Sequence, residues 1–578
     1  MTDTETDATV TAGGAIFARL KKLGVDYVFC NSGTDFPPII EGLAEAAAKD
    51  IDLPKAIVVP HEHAAMGMAH GYYQATGKTQ AVMLHTNVGL ANGVIGAINA
   101  AHDNIPVIIM SGQTPVTEQG RFGARTVPIG WGQEMFDQTA LVRESTKWDY
   151  ELKFGDQIVE LLDRASAIAN STPKGPVYLS LPREVLCETI DTDTLNVEPS
   201  MAPAVSAARH QDIELLARWI IEAENPVIFS QRGTGSQTGF EALTKLVEDW
   251  ALPVNMYWAT GAAIPTDHAM AIGGDPEPWV SDSDLIIVID AIAPWMPDKH
   301  KPRADARIVN IGPNPLFSKT PARNFRSDLS IPGEPDETII ALANTLAKLK
   351  IDADAQRRIS ERRSAIAERS KAIQKSSVEH AKRGNKSPMS KSWVAKCLSD
   401  AIERSGRKAS ITAELGCPLG QMKIDHFNGF RAEPHSGGLG WGLPAALGMQ
   451  LAEPDTLVFA TMGDGSYFFS NPTACHQIAE ALELPVITCV LNNGEWGAVR
   501  HSVTGLYPDG YAAKANVMPL TSLQPSPDFT KTAEASRAYV ETVEHGSDLP
   551  AALDRAIKVA TKERRQVLLN IMIDGEPT

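Results

Sequence analysis

From residue 12 onward, short apolar and β-branched runs alternate with longer stretches in which apolar positions recur at helical spacing. "DYVFCNSG", "KAIVVP", "QAVMLHTN" and "PVIIMSG" are apolar almost throughout, as strands buried on both faces of a parallel sheet are. Between them, segments such as "EHAAMGMAHGYYQATG" predict helices. The alternation predicts a doubly wound α/β unit that closes near "GPVYLSLPREVL", after which "DTDTLNVEPSMAPAVSAARH" is polar, aperiodic and reads as a linker. The same grammar returns with "NPVIFS", "DLIIVID" and "ARIVNIG", and again with "KASITAELG", "TLVFATMG", "PVITCVLNN", "AYVETV" and "QVLLNIMI". The predicted fold class is therefore α/β, with three doubly wound parallel-sheet domains over residues 1–190, 205–350 and 385–578. A charged, helix-period stretch, "DADAQRRISERRSAIAERSKAIQKSSVEHAKRGNK", is expected to be a solvated connecting helix between the last two.

Composition narrows the class of function. With 578 residues, 43% of them hydrophobic, the chain can build several cores. A formal charge of −17 argues against a nucleic-acid partner, because neutralising phosphates needs clustered Lys and Arg. Six cysteines show no CxxC spacing, so neither a zinc knuckle nor a disulfide framework is indicated. The opening "MTDTETDATV" lacks the layout of a signal peptide, and no apolar run approaches the ~18 residues of a membrane span. A cytoplasmic enzyme with a small-molecule substrate is the expectation.

Two sequence features carry chemistry. Asp464 lies in a GDG turn after the strand "TLVFATMG", and Asn492 and Asn493 follow the next strand, with residues 466–491 between the two motifs. A right-handed crossover brings the carboxyl ends of both strands to one sheet edge, where ligands bind in open parallel sheets. One charged and one neutral oxygen donor suit a hard cation such as Mg²⁺, which keeps a net positive charge for a substrate's phosphates. Separately, Glu62 follows a strand and stands in the first turn of a helix, with Ala65, Met66 and Ala69 on its face, so its carboxyl should be partly desolvated. A glutamate that only complements the helix dipole is the plainer reading of Glu62 alone. His61 and His63 flank it, but their spacing is not that of HExxH and points them to different helix faces, so no metal is expected there. The loop "RGTGSQTG" follows a strand with spacing unlike the dinucleotide fingerprint and reads as an ordinary βα turn.

Taken together, GDG and NN at this separation resemble the motif of thiamine diphosphate (ThDP) enzymes. The chain resembles the ThDP-dependent 2-oxo acid decarboxylase/acetolactate synthase superfamily over nearly all its length, and its motifs most resemble benzoylformate decarboxylase. The resemblance implies an N-terminal pyrimidine-binding domain, a central Rossmann-like domain and a C-terminal diphosphate-binding domain. It implies Mg²⁺ held by Asp464, Asn493 and the carbonyl of Glu495, with Gly463, Gly465, Ser466, Trp496 and Gly497 around the cofactor. It makes Glu62 the partner of the aminopyrimidine ring. In "PHSGGLGWGLPAALGMQ" the carbonyl of Gly437 would face the cofactor's amino group, and Leu439 would wedge between its rings. Thr34 stands where a substrate-contacting serine is expected, and His85 where the family has an active-site histidine; a satisfied core histidine is the alternative for His85. Gln113, Ala498 and Ser502 are expected near the substrate.

Departures from the family pattern are equally specific. Gly416 and Cys417 replace a Thr/Ser pair that touches the diphosphate, so any contact there must come from backbone N–H groups. Ser502 replaces a large aromatic, which argues against an aromatic substrate. "DAIAPWMPDKHKP" around Trp295 is similar to acetolactate-synthase-like proteins, some of which carry FAD, so FAD is allowed but not favoured. 2-Hydroxyacyl-CoA lyases and oxalyl-CoA decarboxylases share the motifs too. The expected activity is decarboxylation of a 2-oxo acid, with carboligation to an acyloin or an acetolactate synthase-like reaction as alternatives. The resemblance also implies a homodimer or homotetramer with active sites at subunit interfaces.

Overall fold

The apolar runs form the centres of three parallel sheets in the computed structural model, which describes residues 9–575. Most of the polar opening stretch, residues 1–8, lies outside the described residues. The first sheet runs Lys55–Val58, Tyr27–Cys30, Gln80–Leu84, Val107–Gln113, Val177–Pro182, Asp149–Glu151, all parallel. The second runs Val254–Asn255, Pro226–Ser230, Leu285–Ile289, Arg307–Gly312, Leu329–Pro332. The third runs Phe430–Ala432, Ala409–Glu414, Leu457–Gly463, Ile487–Asn492, Val567–Met572, Tyr539–Val543.

All three sheets share one topological property. The first strand in sequence has its successor on one side and the third strand on the other, so helices leave in opposite directions and a crevice opens at the carboxyl ends of the two strands that flank the reversal. In the first sheet this switch point lies between the ends of Tyr27–Cys30 and Gln80–Leu84. In the second it lies between Pro226–Ser230 and Leu285–Ile289, and in the third between Ala409–Glu414 and Leu457–Gly463.

The chain divides into two compact units, Met1–Val205 with Pro434–Glu453, and Ser206–Glu433 with Pro454–Thr578. In the first, the helix Glu62–Thr76 crosses the helix Gly442–Ala452 at close range. Glycines make that approach possible: a Cβ on Gly71 would lie 2.0 Å from the Ala445 carbonyl oxygen, and one on Gly448 2.1 Å from that of Met68. In the second unit the helix Ala353–Arg383 is more than a solvated connection. Arg362 is buried, and its guanidinium donates to the carbonyls of Ala251, Ala223, Glu224 and Trp250. Those carbonyls belong to helix ends and the turns after them, which would otherwise be unsatisfied. Among the described residues no helix is long and apolar enough to cross a membrane.

Candidate active site

At the third sheet's edge, Asp464 follows the strand Leu457–Gly463 and is 2% exposed. Its two oxygens are both engaged: Oδ1 accepts the N–H of Gly465 at 2.9 Å, and Oδ2 accepts the N–H of Gly494, beyond the neighbouring strand, at 2.8 Å. Burial pushes this carboxyl above its ordinary range, against the opposing pull of those N–H groups. A buried carboxylate whose charge is this costly is suited to a cation. Gly465 admits no side chain, because a Cβ there would meet the Trp496 ring at 2.3 Å. The Oγ of Ser466 is buried and makes no hydrogen bond, an orphaned polar atom beside Asp464.

The two asparagines play different parts. Asn492 is 3% exposed, donates to Asn570 Oδ1 at 3.1 Å and accepts from the Gly494 N–H at 3.1 Å, which makes it structural. Asn493 accepts the Glu495 N–H at 3.1 Å, and the Glu495 carbonyl accepts the Gly497 N–H at 2.9 Å; each of these oxygens retains a second lone pair. The Glu495 carboxylate is held in a two-pronged ion pair by Arg500, at 2.7 and 2.8 Å. Asp464, Asn493 and the Glu495 carbonyl are thus all oxygen donors, the set a hard cation takes. Among the described residues no group of three or more His, Cys, Asp or Glu side chains is placed to hold a metal ion, so a cation here would draw on amide and backbone oxygens beside the one carboxylate.

The Gly416–Cys417 turn lies at the other side of the same switch point. A Cβ on Gly416 would fall 2.3 Å from the Thr461 carbonyl oxygen, so the turn tolerates only glycine. The Cys417 N–H donates to Thr461 Oγ1 at 3.2 Å and is therefore spent within the protein. Burial pushes the Cys417 thiol up to about 12, which leaves it unreactive. Lys391, which sequence reasoning missed, donates to the Leu415 carbonyl at 2.9 Å. A cavity of about 650 Å³ opens beside these groups, with Trp258, Lys391, Gly416, Cys417 and Glu433 among its walls.

In the first unit, Glu62 is 8% exposed. Oε2 accepts from Asn92 Nδ2 at 3.1 Å, while Oε1 faces Gly89, where even a Cβ would come within 3.1 Å. Of the flanking histidines, His61 caps the helix by accepting the His63 N–H at 3.2 Å, and His63 is buried. Burial lowers His63 to about 4; the Leu439 and Gly440 backbone lies beside its ring, yet neither ring nitrogen makes a well-formed hydrogen bond. Leu439 itself is half-buried. The glycine run that carries it is gripped by Asn99, which donates to the Gly438 carbonyl at 2.8 Å and accepts from Ser436 Oγ at 2.7 Å. Gly437 is exposed, with a φ of +69° that favours glycine.

His85 sits at the first sheet's switch point, half-buried, with Nδ1 2.5 Å from Asp35 Oδ1 and Nε2 3.2 Å from Gln133 Nε2. The hydrogen bond to Asp35 raises its pKa, burial opposes this, and the Asp35 and Glu62 charges add to the rise. Thr34 is exposed, its carbonyl accepting from Arg183 at 3.3 Å, and the Gln113 side chain accepts from Ser180 Oγ at 2.6 Å. Ala498 is exposed, near the start of the helix Gly497–Leu506 that also carries Ser502. Asp35, Asn92, Asn99 and Gln133 were missed because nothing in their local spacing marks them.

At the second sheet's switch point the chain fills the crevice with its own side chains. Arg232 pairs with Asp290 at 2.9 Å, and Gln231 donates to the carbonyls of Tyr257 and Ala293 at 3.1 and 2.7 Å. Trp295 is buried against Phe229.

Residues 10–141 match the family described as "Thiamine pyrophosphate enzyme, N-terminal TPP binding domain", and residues 416–571 its C-terminal TPP binding domain counterpart. A probable acetolactate synthase large subunit of Methanocaldococcus jannaschii is 26% identical across 97% of this chain and 91% of that protein. A probable 2-ketoarginine decarboxylase of Pseudomonas aeruginosa is 24% identical across 94% of this chain and 90% of that protein. In structure, a 4-hydroxybenzoylformate decarboxylase of Rhodococcus jostii superposes with a TM-score of 0.77 at 20% identity, covering 98% of this chain and 100% of that one. A benzoylformate decarboxylase of Polynucleobacter necessarius gives 0.75 at 19% identity, covering 98% and 99%. At such identity the structural likeness speaks for the fold.

Proposed function

Because the chain belongs to the thiamine diphosphate-dependent superfamily of acetolactate synthases and 2-oxo acid decarboxylases, we propose that it decarboxylates a 2-oxo acid without oxidation, with ThDP and Mg²⁺ as cofactors. The buried Glu62 carboxyl carries this reading: Asn92 holds one oxygen and the other stands free beside Gly89. A carboxyl so placed can hold a proton at a ring nitrogen of the aminopyrimidine without competition from water. Asp464, Asn493 and the Glu495 carbonyl would hold Mg²⁺, with the Ser466 hydroxyl free to donate to the diphosphate. Leu439 would hold the cofactor bent, and His85 would move a proton at the substrate end. Bound ThDP supplies the nucleophilic carbon and the electron sink that loss of CO₂ requires. In this proposal residues 1–190 form the pyrimidine domain and 385–578 the diphosphate domain, in at least a homodimer.

Full-length similarity to an acetolactate synthase supports a second outcome, transfer to another carbonyl to give an acyloin. The test is a panel of 2-oxo acids with ThDP and Mg²⁺, scored for both CO₂ and acyloin. Glu62→Gln is expected to lower turnover by roughly 10²–10⁴-fold while ThDP still binds, as read by calorimetry. No CO₂ from any acid, or unchanged turnover in the variant, would overturn the proposal.

A further inference from the structure

Two switch points hold side-chain pairs of unlike chemistry. Arg232 and Asp290 form a closed ion pair, whereas Asp35 and His85 form an acid–imidazole pair whose second ring nitrogen faces the neutral amide of Gln133. We propose that Asp35 is the positioning residue for His85, fixing the imidazole as the Nδ1–H tautomer so that Nε2 takes and gives the proton. The catalytic use of that proton rests on the reading of His85 above; the tautomer does not.

The geometry leaves the carboxylate little freedom. Asp35 is 4% exposed; Oδ1 meets His85 Nδ1 at 2.5 Å, and Oδ2 accepts the Thr86 N–H at 3.3 Å. An ionised carboxylate only accepts, so Nδ1 must carry the hydrogen and the neutral ring must present a lone pair at Nε2. The Gln133 amide, 3.2 Å from Nε2, can donate to that lone pair through its NH₂ group. When Nε2 gains a proton, the imidazolium lies against the Asp35 charge, and Gln133 can turn its oxygen to accept. When the proton leaves from Nε2, the neutral Nδ1–H form returns, so the cycle balances.

Two glycines clear the space for this pair. A Cβ on Gly33 would lie 2.0 Å from His85 Nδ1, and one on Gly112 1.5 Å from Asp35 Oδ2. They come from the loop after Tyr27–Cys30 and from the strand Val107–Gln113, on either side of the pair. The charged groups that bear on His85 are Asp35 and Glu62, both favouring its protonation. The nearby arginines are occupied: Arg125 by Glu134 at 2.7 Å and the Pro115 carbonyl, Arg183 by the carbonyls of Gly123, Ala124 and Thr34. An aspartate that only capped the Thr86–His102 helix would have no need of the imidazole.

The test uses full-length protein labelled at histidine with ¹⁵N and ¹³C, without cofactor, His85 being assigned from the spectrum of His85→Gln. Wild-type ¹⁵N shifts read the tautomer directly: Nδ1–H supports the inference and Nε2–H overturns it, whether or not any variant folds. Asp35→Asn is expected to lower the His85 titration midpoint by one pH unit or more, and an unmoved midpoint overturns it. In the loaded enzyme, the His85-dependent limb of the kcat/KM profile should move by the same amount, with at least a tenfold loss. A moved titration with an unmoved limb overturns the positioning role. If His85→Gln also keeps full activity, the fault lies with the catalytic reading of His85 and not with the tautomer.

Discussion

The carboxylate of Asp464 accepts the backbone N–H of Gly494 at 2.8 Å, tying the turn after one strand to the turn after its neighbour. A metal-ligand candidate is therefore also the clasp that sets the loop carrying Asn493 and Glu495. Asp464→Asn keeps the size but offers one acceptor oxygen where two N–H groups wait. The variant should lose about 1–3 kcal/mol of stability from an unsatisfied buried donor, seen as a lower denaturant midpoint. Its affinity for ThDP with Mg²⁺ should fall more than tenfold by calorimetry, and retained affinity would remove Asp464 from the cofactor site.

The crossing of helices Glu62–Thr76 and Gly442–Ala452 rests on missing side chains. Gly71→Ala places a methyl 2.0 Å from the Ala445 carbonyl oxygen, a backbone atom that cannot swing aside. Overpacking of this kind costs about 1–3 kcal/mol or more. Because the same two elements carry Glu62 and continue from Leu439, thermal stability and turnover should fall together. A stable variant of normal activity would show that the two helices can separate enough to admit a methyl group.

Acid should weaken the fold through histidines buried as neutral rings. His476 accepts from the Tyr467 hydroxyl at 2.9 Å and donates to Gln566 Oε1 at 2.8 Å, an arrangement that a second ring proton would break. Burial lowers it from the ordinary 6.5 to about 4, as it does His63. The unfolded chain binds these protons first, so stability present above pH 6.5 drains as pH falls toward 4, by on the order of 3 kcal/mol per histidine. His85 has the opposite sign: its raised pKa adds stability at low pH that is lost as pH rises through that value. Denaturant midpoints across this range, with and without His476→Gln, check the sign.

The Arg232–Asp290 pair and Gln231 occupy the crevice where a doubly wound sheet would receive a nucleotide. The purified protein is expected to show no visible flavin absorbance and to need no added FAD for turnover. Copurifying flavin would mean that these side chains open.

How much of this was legible in the chain depends on the range of the interaction. Apolar runs long enough to be buried on both faces marked nearly every central strand, because burial selects residue type locally. The edge strands Asp149–Glu151 and Phe430–Ala432 went unmarked, since short edges need no such run. Crossover handedness places Asp464 and Asn493 on neighbouring strand ends from order alone. The sequence by itself also sets the GDG and NN motifs and the glutamate at a helix start.

Tertiary structure decided the rest. Asp35 meets His85 from 50 residues away, and Asn99 grips Gly438 from 339 away. Arg362 turned a charged helix, legible only as solvated, into a cap for buried carbonyls. A hydrogen bond between distant residues constrains neither one's neighbours, so no periodicity or spacing records it; it exists only once the sheet brings two strand ends together.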